Sequence, residues 1–582
     1  MANLIQTARD QVAELTQKAY EKAAAQGLLP QGETIRGTVE VPKDSRNGDF
    51  ASSFAMAGAK ALKMAPRAIA QIILDNLELE GTLFQRAEIA GPGFLNFFYS
   101  PNWYQQVLGA VEADPAGYGS SDVGHGQKVM VEFVSANPTG PMHMGNARGG
   151  VLGDTLASVL QAAGADVWRE FYVNDAGNQI EKFASSLEAR YLQIILGEEA
   201  VPFPEDGYHG DDIKELARAF YEQYGEQYKD ADVKSRHEAL AKFGLERNIP
   251  KMKSDLQRYK IEYDQWFFES SLHDSGYVAD TVDKLTALGW TYEKEGALWL
   301  ATSRILEETY RKAGKSEKDI AKLDLKDDVL RRANGFYTYF AADIAYHRNK
   351  FEERHFDKVI NVWGADHHGH VARLQAALDG LGLDGSNRLV IVLMQLVNLL
   401  QDGKPVRMSK RTGKAIALHD LLDEISVDAA RYYFNNRAST SPLDFDLDLA
   451  VRQDSDNPVY YVQYAHARIC SLIANLAAEG VQVPACADVD AALLSTEEER
   501  GLIKTLAQYP NEIAQAAQHY DPSRINRYLT GLAGDFHRFY NACRIKGEEP
   551  QVQAARLKLA HTVRLVLANG LGLLGVTAPE KM

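Results

Sequence analysis

Val131-Glu132-Phe133-Val134-Ser135-Ala136-Asn137-Pro138-Thr139-Gly140-Pro141-Met142-His143-Met144-Gly145-Asn146-Ala147-Arg148-Gly149-Gly150 is the stretch whose reading decides the fold. The apolar run to Val134 predicts a buried strand, the Pro/Gly-rich middle turns the chain, and a helix is expected from about Gly145. A helix N-terminus presents unpaired N–H groups to an anion, glycine permits close approach, and the imidazole of His143 is able to donate to a phosphoryl oxygen. Taken alone, His143-Met144-Gly145-Asn146 reads first as a strand-loop-helix turn with a capping residue.

Working outward, Lys358-Val359-Ile360-Asn361-Val362-Trp363 and Leu389-Val390-Ile391-Val392-Leu393 are further apolar runs separated by helical text, the pattern of a parallel α/β sheet. Between the first run and these lies a charged, Tyr-rich stretch, about 180–330, which reads as a helical insertion into a doubly wound core. Asp114-Pro115-Ala116-Gly117-Tyr118-Gly119-Ser120-Ser121 is dense in turn residues and marks a boundary. The expected organisation is therefore an N-terminal α+β domain over 1–122, a Rossmann-like α/β domain over 123–454, and an all-α bundle over 455–582. In the bundle, Pro484, Pro510 and Pro522 are expected between helices or at their starts.

The proportions of 45% hydrophobic and 24% charged residues are those of a folded chain and exclude low complexity. No apolar run approaches the ~20 residues of a membrane span, and Met1-Ala2-Asn3-Leu4 lacks the regions of a signal peptide, which predicts a cytoplasmic protein. Cys470, Cys486 and Cys543 lie far apart, so neither a disulfide framework nor a structural zinc site is supported. The net charge of −16 divides into −4 over 1–125, −1 over 455–582 and −11 between them. Such a middle suits a cationic substrate, although solvated acidic surface is the better account of most of it.

Val406-Arg407-Met408-Ser409-Lys410-Arg411-Thr412-Gly413-Lys414 concentrates cations in a short loop after a strand and turn. Such a loop is suited to clamping a pyrophosphate whose negative charge grows in a transition state. Together the His143 and Lys410 segments resemble the HIGH and KMSKS signatures of class I aminoacyl-tRNA synthetases, in that order around a long insertion. Ser135-Ala136-Asn137-Pro138-Thr139-Gly140-Pro141 and Tyr172-Val173-Asn174-Asp175-Ala176-Gly177-Asn178-Gln179 narrow the resemblance to the arginyl-tRNA synthetases. Asn47-Gly48-Asp49-Phe50-Ala51-Ser52 and Gly91-Pro92-Gly93-Phe94-Leu95-Asn96 look like that family's N-terminal tRNA-binding domain. Tyr460 to Arg468 and Ala578 to Met582 look like its anticodon-binding bundle. Met144 and Asn146 depart from the first signature and Arg407 and Arg411 from the second, with donors and positive charge retained.

The resemblance implies catalytic His143, Asn146 and Lys410, with ATP held by His143, Gly145, Asn146, Met408, Ser409 and Lys410. Gly364-Ala365-Asp366-His367-His368-Gly369-His370 follows a strand end, and its spacing matches a ribose-binding pattern through Gly364, Asp366 and His370, preferred here over a metal site. A guanidinium offers five donors and no acceptor, so arginine needs fixed carboxylates. Tyr339 and Asp343 stand at i and i+4 on one helix face. With Glu132, Ser135 and Asn137 they occupy the positions that the family resemblance assigns to the arginine pocket. Phe94, Asn96, Tyr460 and Tyr464 are the tRNA-binding candidates. The implied activity is that of an arginine-tRNA ligase, acting as a monomer on L-arginine, ATP with Mg²⁺, and tRNA(Arg), with no metal site of its own. A small-molecule adenylyltransferase would share both loops without needing 455–582, and a catalytically silent tRNA-binding protein would tolerate loss of His143 or Lys410.

Overall fold

The computed structural model describes residues 3–406 and 416–582. Met408, Ser409 and Lys410 therefore lie outside the described residues. The chain opens with an antiparallel sheet built from β1 (Val39–Glu40), β2 (Phe50–Ser52), β3 (Phe84–Ala90) and β4 (Phe94–Tyr99), in the order β1-β2-β4-β3. Helices Leu4–Ala25, Phe54–Leu62 and Pro66–Asp75 pack on it.

The central strands are β5 (Lys128–Glu132), β6 (Asp166–Val173) and β7 (Gln265–Phe268). After a separate antiparallel unit of β8 (Thr291–Lys294), β9 (Ala297–Leu300) and β10 (Asp328–Arg331), the chain adds β11 (Lys358–Gly364) and β12 (Leu389–Met394). These make a five-stranded parallel sheet ordered β12-β11-β5-β6-β7. The chain steps from β5 to β6 on one side and returns to β11 on the other, so a crevice opens at the carboxyl end of β5. A third small sheet joins β13 (Val397–Gln401), β14 (Lys404–Val406) and β15 (Leu443–Asp446).

The expectation of a helical insertion over 180–330 needs correction. Helices Asn178–Leu196, Asp211–Tyr224 and Val233–Arg258 do form, but the same span contains β7 of the central sheet and most of the β8-β9-β10 sheet. Gln265-Trp266-Phe267-Phe268 is a single short run between charged segments, too brief for its period to separate strand from helix.

The helix Met144–Ala162 lies on the sheet because its glycines allow it. A Cβ on Gly153 would stand 2.2 Å from the ring of Phe133, and one on Gly150 would stand 2.8 Å from Ile261. Between β5 and this helix the backbone is strained: Val134 has φ 69° and Ser135 φ 43°. Positive φ is costly for any side chain with a Cβ and most of all for a β-branched one.

Helices Pro458–Ala478, Glu497–His519, Ser523–Ala542 and Pro550–Leu573 form the C-terminal bundle. Pro510 is a second correction, since it sits inside the helix Glu497–His519 and not at a boundary. A proline there removes the N–H that would bond the carbonyl four residues earlier. That carbonyl belongs to Leu506, and the hydroxyl of Tyr118 donates to it at 3.0 Å. The sequence between the N-terminal and central units is thus fastened to the bundle. Its neighbour, the helix Pro101–Ala113, is fastened too: Gln105 Nε2 donates to Cys486 O at 2.6 Å, Glu112 accepts from Cys486 N at 2.8 Å, and Lys558 pairs with Glu112. Lys504 reaches across to Asp49. Among the described residues no helix is long and apolar enough to cross a membrane.

Candidate active site

A cleft of about 630 Å³ occupies the crevice at the carboxyl ends of β5, β6, β7 and β11. Of the side chains singled out from sequence, Glu132, Ser135, Asn137, Tyr339, Asp343, Asp366 and His370 line it, together with the backbone of Gly364. Tyr339 and Asp343 come from one face of the helix Tyr339–Glu352, capped by the hydroxyl of Thr338.

Three carboxylates converge in the cleft. Glu132 (5% exposed) accepts from Ser135 Oγ at 3.0 Å and from the buried Lys350 Nζ at 2.5 Å. Asp343 is held from both sides, with His347 Nδ1 3.0 Å from Oδ1 and His370 Nε2 2.6 Å from Oδ2. Burial opposes its ionisation, and the two imidazoles outweigh that, so its pKa lies below the usual carboxylate range. Glu269 (3% exposed) follows β7 and accepts from the Tyr172 hydroxyl at 2.7 Å. Burial first, then Glu269, Asp343 and Glu132, raise the Tyr172 pKa, so this phenol stays protonated amid the three acids. Asn174 Oδ1, also on the cleft wall, is a buried acceptor with no donor among the described residues. Among the described residues, Lys350 is the one lysine or arginine hydrogen-bonded to these three carboxylates. The pocket is thus acidic, with Asp343 and Glu269 meeting histidines (His347, His370 and His273) in place of a lysine or arginine. Free arginine brings a guanidinium and an α-ammonium.

His143, Gly145 and Asn146 stand at the start of the helix Met144–Ala162 and are not among the residues that line this cleft. His143 Nδ1 accepts from Gly145 N at 3.1 Å, which leaves the hydrogen on Nε2 as an outward donor. Partial burial lowers the His143 pKa although the ring keeps an accessible edge, favouring that neutral form. Asn146 uses Oδ1 to accept from His143 N at 3.0 Å, so only its Nδ2 hydrogens remain for an anion. The downstream flank of the cationic segment is at this point: Ala417 bridges to His143, and Leu418 N donates to Met142 O at 2.8 Å.

The tRNA-binding candidates lie apart from the cleft. Tyr460 and Tyr464 stack with centroids 6.0 Å apart and planes 6° from parallel, Tyr464 being 40% exposed, and His537 continues the stack. Phe94 is half-buried. Asn96 is corrected: it lies on the interior strand β4, 2% exposed, with no face to offer RNA. His370 lines the cleft with Gly364 and Asp366, and its Nε2 faces Asp343. Glu269, Lys350 and Tyr172 were given no role from sequence. An acid closing the short aromatic run 265–268 was the one available signal for Glu269; Lys350, inside a helix among other charges, gave none. Among the described residues no three His, Cys, Asp or Glu side chains gather as metal ligands.

Three family models match the chain: an arginyl tRNA synthetase N terminal domain over 7–99, a class I tRNA synthetase (R) catalytic domain over 113–446, and a DALR anticodon binding domain over 462–582. The arginine-tRNA ligase of Acetivibrio thermocellus is 50% identical over 582 residues, and that of Caldanaerobacter subterraneus subsp. tengcongensis 52% identical over 583, each alignment spanning 100% of both chains. A structure from Campylobacter jejuni assigned to the arginyl-tRNA synthetases aligns with TM-score 0.72 at 34% identity, covering 83% of this chain and 100% of its own. The Thermus thermophilus arginyl-tRNA synthetase shares the fold with TM-score 0.71 at 23% identity over 97% of this chain and 99% of its own.

Proposed function

We infer the chemistry of the cleft from one premise: this chain belongs to the arginyl-tRNA synthetases. It is an arginine-tRNA ligase. An arginine carboxylate oxygen attacks the α-phosphorus of ATP and pyrophosphate leaves. A hydroxyl of the terminal tRNA ribose then attacks the arginyl carbonyl, AMP leaves, and the hydroxyl proton passes to solvent.

The observation that supports a role for this pocket is its convergence of three carboxylates, Glu132, Asp343 and Glu269. Asp343 and Glu269 receive the guanidinium with the Tyr339 hydroxyl and Asn174 Oδ1 beside them, while Glu132, Ser135 and Asn137 face the α-ammonium end. Charge-assisted acceptors in a fixed fork discriminate against neutral analogues, which would leave a buried carboxylate unpaired. ATP lies toward Gly364 and Asp366 and the helix start at His143, whose Nε2–H donates to phosphate, as does Asn146 Nδ2. Lys410, with Met408 and Ser409, meets the pyrophosphate as its charge grows. ATP enters as its magnesium complex, the ion neutralising part of the triphosphate charge.

Tyr460 and Tyr464 offer a stacked aromatic platform to unpaired bases, and Phe94 a smaller one from the N-terminal unit. The three cysteines are free thiols, in keeping with a reducing cytoplasm, and one chain carries every element named here, in keeping with action as a monomer. ATP–pyrophosphate exchange with each standard amino acid, with and without tRNA, tests the reading. Exchange with arginine alone is expected, and exchange driven by a different amino acid would overturn it.

A further inference from the structure

Lys350 is fully buried (0% exposed) beneath the cleft, on the helix that carries Tyr339 and Asp343. Its ammonium lies 2.5 Å from Glu132 Oε2, 3.4 Å from His347 Nε2 and 3.5 Å from Asn361 Oδ1, with the Tyr346 ring centroid at 3.9 Å. His347 Nε2 also receives Asn361 Nδ2 at 2.7 Å. An ammonium removed from water is stable only with acceptors on several sides, and Lys350 has them.

From Lys350 a chain of contacts runs into the cleft. Glu132, oriented by the ammonium through Oε2, accepts Ser135 Oγ through Oε1 at 3.0 Å, and that same Oγ accepts from Tyr172 N at 3.2 Å. Ser135 N closes a tight turn by donating to Phe133 O at 3.0 Å, with Val134 and Ser135 both at positive φ. Strained backbone of this kind persists only where its surroundings over-determine it. Here the side-chain bond from Glu132 to Ser135 spans the turn, and Lys350 holds Glu132 in place.

We propose that Lys350 is a positioning residue for arginine: acting through Glu132, it holds the Val134–Ser135 turn in the shape that presents Ser135 and Asn137 to the substrate. The proposal rests on the reading of this cleft as the arginine pocket. It divides the carboxylates by task. Glu132 meets the substrate as an oriented acceptor already paired with an ammonium, whereas Asp343 and Glu269, among the described residues, have only histidines as ion-pair partners and no lysine or arginine.

The test is a double-substitution cycle of Lys350→Met and Glu132→Gln, with Asp343→Asn beside it, read as Michaelis constants and turnover in aminoacylation of tRNA. Lys350→Met is expected to raise the arginine KM at least tenfold with turnover changed less than the KM. Adding it to Glu132→Gln should change the arginine KM less than threefold, because the partner through which it acts is gone. The neutral double variant leaves no uncompensated buried charge and should melt closer to the parent than either single variant, which guards the test against simple misfolding. Lys350→Met within threefold of the parent KM, or two effects that multiply in the double variant, would overturn the proposal. If Lys350→Met does not fold, the comparison of Glu132→Gln with the double variant decides on the same threefold criterion. A normal arginine KM in Asp343→Asn would instead remove the pocket reading itself.

Discussion

Nε2 of His370 lies 2.6 Å from Oδ2 of Asp343. The ring that sequence spacing assigns to the ribose therefore touches the carboxylate proposed for the guanidinium, so on that proposal the two substrate sites share a wall.

Asp343→Asn should consequently raise the arginine KM by about two to four orders of magnitude, since breaking a buried ionic contact costs about 3 to 5 kcal/mol. The ATP KM should follow by a much smaller factor, as His370 loses its anionic acceptor. Steady-state kinetics with both substrates varied measure the two effects, and an arginine KM within threefold of the parent value would exclude Asp343 from the pocket.

Lys410→Ala should slow arginyl-adenylate formation by about 2 to 4 kcal/mol in the barrier while leaving the arginine KM nearly unchanged, because its charge is matched only in the transition state. Single-turnover measurement of adenylate separates the two constants, and an unaltered rate refutes the role.

How much of this was legible beforehand depended on how local each signal was. The strand, turn and helix around His143 are written in contiguous residues, as is the i, i+4 pairing of Tyr339 with Asp343, and both segments adopt those forms. β7 was missed because four residues carry no usable period, and with it went Glu269. Asn96 looked available because the Gly-Pro-Gly-Phe-Leu-Asn wording does not say that β4 has a neighbour on each side. The Lys350 contact with Glu132 joins positions 218 residues apart, and no spacing rule reaches that far.

Acid should weaken the C-terminal bundle through His561. Burial first, then Arg564 and Lys558, push its pKa down to about 4 from an unfolded value of 6.5, and Arg564 donates to Nε2 at 3.2 Å. The folded state resists a proton that the unfolded chain accepts, so this stability is complete above pH 6.5 and is lost as pH falls toward 4. The loss is about 2 to 3 kcal/mol after allowance for partial exposure. His561→Gln should flatten that part of the profile, and urea unfolding of parent and variant at pH 7 and pH 4.5 gives the comparison. Parallel pH profiles would count against it.

Tyr118→Phe should cost about 1 to 3 kcal/mol, the penalty for stranding the buried carbonyl of Leu506. Pro510→Ala supplies a helical N–H to that same carbonyl, so the double variant should recover most of the loss. Urea unfolding followed in the transition that includes the bundle reads the cycle, and simple additivity of the two substitutions would show that the hydroxyl and the proline are unrelated.

The Tyr118 contact, with those of Gln105 and Glu112 to Cys486 and of Lys504 to Asp49, has a consequence for how the chain holds together. Peptide continuity across Asp114–Ser121 duplicates an attachment that side chains already make. A single proteolytic nick in that segment should leave two fragments travelling together through a sizing column, and an N-terminal fragment supplied in trans should find its seat on the nicked remainder.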